Sequence, residues 1–199
     1  MIVVVEGPTA AGKSTWVGAH AGRGRVPEET VAAPDPASSD AELAVYWTEL
    51  SCRRWQNALR METANGFAVC DGDPFKLHYS YGLLRLGHVT VERFAAEIAA
   101  ARSAIAGSRL GVADLVLCSI PSQSTLARHR DDDVGRRRRN FALHRQLAGP
   151  LEEWYQALEA TDPGRVIWGF PRDLPPAVSR PRYDVDLFYD WMARLPISN

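Results

Sequence analysis

The sequence predicts an α/β fold in which a parallel five-stranded sheet lies between layers of helix, and two observations carry that expectation. Apolar, strand-like runs at residues 2–5, 25–26, 67–70, 113–119 and 166–169 alternate with longer stretches of helical periodicity. The first run enters GPTAAGKST (residues 7–15), a glycine-bearing turn that opens a helix. Strands separated by helical crossovers pair in parallel. With 199 residues and 46% hydrophobic side chains, one domain over residues 1–199 can bury its own core.

Helices are expected over residues 13–20, 40–64, 74–85, 90–106, 122–130, 139–160 and 184–195, with Thr90 and Ser122 as caps. Two patches interrupt this order. AAPDPASSD (32–40) reads as a loop over one sheet edge, and DDDVGRRRRN (131–140) as a charge-dense connection. The tail beyond residue 171 ends in an amphipathic helix that packs on the body or, in a homodimer, on a second subunit.

A net charge of −1 provides no general attraction to nucleic acid or anionic membrane. The apolar start, MIVVV, is too short for a secretion signal or a membrane span. Cys52, Cys70 and Cys118 are widely spaced, and the last two lie in apolar runs, which suits buried reduced thiols and a cytoplasmic setting.

The chemistry starts with the first turn. Gly7, four residues, then Gly12, Lys13 and Ser14 fit G-x-x-x-x-G-K-[ST], the loop whose backbone N–H groups cradle phosphates. Gly7, Pro8, Thr9, Ala10, Ala11, Gly12, Lys13, Ser14 and Thr15 are therefore the expected nucleotide site, for ATP or GTP. Lys13 would bridge the β- and γ-phosphates, Ser14 would ligate Mg²⁺, and Thr15 would support the loop from behind.

A parallel sheet collects ligands at the carboxyl ends of its strands. Glu28 or Glu29 follows the second strand; Asp71 and Asp73 follow the third. An alcohol acceptor needs a base, whereas a phosphate acceptor needs positive charge. Asp71 ends an apolar strand directed at the phosphates, which favours it narrowly over Glu28 as that base and also places it beside Ser14 at the metal. Asp73, before Pro74, suits a helix cap as well as it suits the acceptor site. Phe75, His78, Tyr79 and Tyr81 are candidates to line an acceptor pocket. Not all of Arg136–Arg139 could face one ligand from a helix, so one or two, here Arg136 and Arg138, are expected to reach the transferring phosphate from a lid over about 130–140. Arg128 and Arg130 could share that role.

Beyond these residues the chain resembles the deoxynucleoside kinase and thymidylate kinase group of P-loop enzymes. VPEE (26–29) is similar to the PEP segment of deoxynucleoside kinases, which makes Glu28 the match to their catalytic glutamate. CDGDP (70–74) falls where those enzymes carry Glu-Arg-Ser or Asp-Arg, so Asp71 matches the acid while Gly72 stands where the arginine would be. LSCRRWQNALR (50–60) looks like the thymidylate kinase helix with an Arg-Trp pair, which puts Arg54 at the acceptor. SIPSQSTLARHRDDDVGRRRRNF (119–141) is similar to their fourth strand and arginine-bearing lid. The resemblance implies a P-loop NTPase α/β/α sandwich with strand order 2-3-1-4-5. It also implies transfer of the ATP γ-phosphate to a hydroxyl of a nucleoside or nucleoside-like molecule. A nucleoside monophosphate kinase, an antibiotic-modifying O-phosphotransferase and, in a different class, a nucleotide-dependent switch or ATPase subunit are the alternatives.

Overall fold

β-Branched residues at Ile2–Glu6 form a strand, β1, whose five positions are all buried. Such a run has no polar face, so it must lie inside a sheet covered on both sides. The computed structural model describes residues 1–28, 34–35, 37–132 and 141–197. In chain order they comprise β1, α1 (Lys13–His20), β2 (Arg25–Val26), α2 (Asp40–Asn65), β3 (Ala68–Asp71), α3 (Leu77–Arg85), α4 (Val91–Ala106), β4 (Leu115–Cys118), α5 (Gln123–Asp132), α6 (Phe141–Gln146), α7 (Ala148–Thr161), β5 (Val166–Trp168) and α8 (Val185–Ala193).

The sheet order is β2-β3-β1-β4-β5 and every pairing is parallel. In register, Val5 lies beside Asp71 on one flank and Leu117 on the other. The strands therefore finish together, and Glu6, Glu28, Asp71 and Ser119 emerge along one edge of the sheet. One face packs on α2, α3, α4, α7 and α8 through residues such as Val4, Trp55, Phe94, Trp154 and Trp191. The other packs on α1 and the start of the tail through Val3, Val5, Trp16 and Leu117.

The helix boundaries follow local chemistry. α2 opens with a capping box between Ser39 and Glu42 and ends at Gly66, whose φ of 80° is the left-handed conformation a helix stop favours. Two expectations need correction. The helix expected from residue 74 begins at Leu77, because the Asp73 carboxylate accepts from the Phe75 N–H and holds residues 73–75 in a turn. The helix expected over 139–160 divides into α6 and α7 at Leu147. Pro150 explains the break: it lacks an N–H and clashes with the carbonyl four residues back, but fits the first turn of a new helix.

α8 packs on the body, where Trp191 Nε1 donates to the Trp154 carbonyl at 3.0 Å. The tail before it is fastened by arginines. The fully buried Arg165 donates to the carbonyls of Ala113 and Pro181, both at 2.8 Å, and Arg182 pairs with Glu62 and Asp114. All three cysteines are buried free thiols, and burial pushes the Cys70 and Cys118 thiols well above the ordinary range. Among the described residues no helix is long and apolar enough to cross a membrane.

Candidate active site

Between β1 and α1 the backbone takes a shape that side chains would obstruct. A Cβ on Gly7 would lie 2.4 Å from the Ser119 carbonyl oxygen, so only glycine lets the loop pass the end of β4. Gly12 has φ 93° and starts α1 without any side-chain cap. The first-turn N–H groups and the positive end of the helix dipole are thus aimed into the loop, which is the donor set an anion needs. The loop fits the polyphosphate of a nucleotide. Thr15, in contrast, is exposed on α1, so the expectation that it supports the loop from behind is not met.

Lys13 donates to the carbonyls of Gly7 and Pro8 and lies 3.5 Å from Glu6 Oε1. Glu6 was not among the residues singled out from the sequence, yet it organises this corner. Its two oxygens accept from the Gly7 N–H and the Asp73 N–H, both at 2.9 Å, which ties the phosphate loop to the end of β3. Burial pushes its carboxyl up, but Lys13, Lys76, His78 and the Asp73 N–H outweigh burial and bring it down to about 2. A charged residue closing an otherwise apolar buried strand was the signal that could have found it.

The Ser14 hydroxyl donates to Asp71 Oδ1 at 3.2 Å, and Arg25 Nη2 lies 3.5 Å from Asp71 Oδ2. Ser14 and Asp71 therefore converge at the mouth of the loop. Among the described residues no three His, Cys, Asp or Glu side chains gather as a metal site. The Ser14 hydroxyl and the Asp71 carboxylate are oxygen donors of the kind Mg²⁺ takes beside phosphate and water.

Asp73 has a different setting. Besides the Phe75 N–H it accepts from the Tyr155 hydroxyl at 2.9 Å, and burial raises its carboxyl to about 7 despite those donors. His78 lies 3.6 Å from Glu6 and is lowered to about 4 by burial, so it is neutral at ordinary pH. Tyr81 lies in the core with its hydroxyl on Glu153, and Phe75 stacks among Trp154, Phe188 and Trp191. Of the expected aromatic lining, Phe75 and Tyr79 reach the larger cavity described below, and Tyr81 does not.

Glu28 meets Lys76 Nζ at 3.0 Å. Burial raises the Glu28 carboxyl, and the Lys76 ammonium more than reverses this, leaving it below the ordinary range. Lys76 was also missed from the sequence. A Cβ on Gly72 would lie 3.1 Å from Lys76 Nζ and 3.7 Å from Glu28 Oε1, so the lysine brings a cation to the place where the resemblance expects an arginine at residue 72. Glu29 and the lid residues Arg136 and Arg138 fall outside the described residues. α5 and α6, which flank that lid segment, both reach the loop: His129 Nδ1 lies 3.0 Å from the Ala10 carbonyl oxygen and His144 Nδ1 2.9 Å from Thr9 Oγ1.

Two cavities meet at Glu28. One, of about 190 Å³, is walled by the loop from Gly7 to Thr9, Lys13 and His144. The other, of about 260 Å³ and mainly apolar, runs between α2, α3 and α4 and is lined by Trp47, Arg54, Phe75 and Leu83 among others. Glu28, Lys76 and Tyr79 line both.

The fold has relatives among solved structures. A deoxyadenosine kinase from M. mycoides with bound dATP superposes with a TM-score of 0.55 at 13% identity, covering 84% of this chain and 90% of that one. The same enzyme with bound dCTP gives 0.51 at 17% identity, covering 84% and 89%. The chain has the fold of a deoxynucleoside kinase. No family model matches it, and no curated protein matches it in sequence.

Proposed function

We propose that this deoxynucleoside kinase-like chain is an ATP-dependent kinase that phosphorylates a hydroxyl of a nucleoside or nucleoside-like molecule. One observation carries the reading: Glu28, Lys76 and Tyr79 line both the loop cavity and the apolar cavity. A ring held in the apolar cavity would present its hydroxyl at Glu28, opposite the terminal phosphate. Mg²⁺-ATP, held by the loop N–H groups, Lys13, Ser14 and Asp71, would supply the phosphoryl group and the metal charge. Glu28 takes the hydroxyl proton, and Lys76 keeps the carboxylate ionised until the acceptor arrives. This reading assigns Asp71 to the metal and the base to Glu28, because Asp71 is engaged by Ser14 and Arg25. Arg136 and Arg138 would close over the transferring phosphate.

The test is ADP release with and without a panel of nucleosides, with Lys13→Ala as the inactive control. Nucleoside-dependent release that Glu28→Gln lowers by about 10²–10⁴ in kcat, with little change in KM, is the expected result. Hydrolysis indifferent to every acceptor would favour a switch instead. Arg54 in the cavity wall supports a second reading, a nucleoside monophosphate acceptor. In that case Arg54→Ala would raise the acceptor KM steeply while Glu28→Gln left kcat intact.

A further inference from the structure

An imidazole on the wall of the loop cavity has no part in the chemistry above. His144, half-buried on α6, holds its Nδ1 2.9 Å from Thr9 Oγ1. The sequence of α6 explains the placement. Phe141 packs with Leu126 and Ala11 on the phosphate loop. His144, one turn on, and Leu147, just past the helix, therefore face the same way, and both line the cavity with Lys13 and Glu28. Tyr79 of α3 meets the imidazole edge-on, with ring centroids 6.1 Å apart and planes at 84°. The ring is thus oriented from two elements, while among the described residues no protein group bonds its Nε2.

The two ring nitrogens have separable duties. Burial lowers the His144 imidazole and the Lys13 ammonium lowers it further, so the ring is neutral at ordinary pH and carries one proton. A hydroxyl both donates and accepts, so Thr9 can serve either tautomer. An anion in the cavity decides between them, because a bare Nε2 lone pair is repelled by phosphate oxygens whereas Nε2–H is attracted. Resting on the nucleotide reading above, we propose that Thr9 donates to Nδ1 and so fixes the proton on Nε2, from which His144 donates to the terminal phosphate of ATP. In that reading Lys13 bridges the β- and γ-phosphates and Glu28 stands opposite the terminal one, and both share the cavity with His144. Lys13 supplies charge, and His144 supplies a directed neutral donor that a diphosphate does not reach. The pair then tells a triphosphate from a diphosphate.

The experiment titrates Mg²⁺-ADP and Mg²⁺-β,γ-methylene-ATP, which is not turned over, into the native protein, His144→Gln and His144→Asn by calorimetry. A glutamine amide carries its NH₂ to the place of Nε2, whereas an asparagine amide stops at the place of Nδ1. Native protein and His144→Gln are expected to favour the triphosphate. His144→Asn should lose about 10- to 10²-fold of that preference, the range for a hydrogen bond to a charged group. Equal affinity for ADP in all three shows that loop and fold are intact. The assignment is overturned if His144→Asn keeps the native preference, or if His144→Gln loses as much as His144→Asn. It is overturned too if affinity for ADP falls in step, which would make the ring a brace for the loop. Native protein that binds neither nucleotide would sink it together with the phosphate loop. No acceptor is present in the titration, so triphosphate selectivity without nucleoside-dependent turnover would sink the kinase reading and leave this inference standing.

Discussion

At position 72 a side chain would crowd the Lys76 ammonium, whose distance to the Cβ site is 3.1 Å, so the glycine and the lysine work as a pair. Replacing Lys76 by Met removes the cation that lowers Glu28 and leaves burial, which acts in the opposite direction. Glu28 then needs a higher pH to ionise, and the acid limb of the kcat profile should move upward, a shift that a pH–rate series measures directly. Lys13→Ala should abolish transfer while leaving the unfolding temperature close to native, because glycine geometry and backbone bonds shape the loop. Near-native turnover would show that the loop does not bind the transferred group. Residues within the loop and at strand ends were legible because sequence neighbours define them. Glu6, although it closes β1, and Lys76 were not, since their roles come from Asp73 and His78 for the one and Glu28 for the other, partners that only the folded chain brings near.

Among the elements, each of the seven expected helical stretches contains a helix among the described residues, but one of them divides into α6 and α7, and α3 starts three residues late. Those misses had local causes: the Asp73 turn before α3 and Pro150 in the first turn of α7. α8 shows what an element contributes away from the chemistry. Asp184 caps it by accepting from the N–H groups of Asp186 and Leu187. Asp184→Ala should lower stability by about 1 kcal/mol with kcat unchanged, as read from the urea midpoint beside the rate. The arginines between α5 and α6 should behave in the opposite way. Changing Arg136 and Arg138 together to Ala should lower kcat by about 10²-fold or more without moving the melting temperature. Unaltered kinetics would make them ordinary solvated charges.

Across the whole molecule, alternation of strand and helix made the parallel sheet legible, while its order β2-β3-β1-β4-β5 came only from resemblance, because spacing along a chain does not say which strands become neighbours. The buried cluster behind the loop sets the response to acid. His78 is lowered from 6.5 to about 4, so the unfolded chain protonates first and stability falls with pH across that window. Asp73 is raised from 3.8 to about 7, so the folded chain protonates first and stability rises over nearly the same window. The two oppose each other. Glu6 is lowered from 4.5 to about 2, and the stability it contributes is complete above 4.5 and lost as pH falls through 2. Melting temperature should therefore change little between pH 7 and 4.5 and fall steeply below 4, with the steep part weakened in Glu6→Gln. The burial of all three thiols has a practical consequence for following the motion of the protein. Native protein should be silent to maleimide and release three reactive groups only on unfolding. A single dye attached through Ser124→Cys, on the exposed face of α5, would then report the movement of that helix in fluorescence with no native cysteine removed.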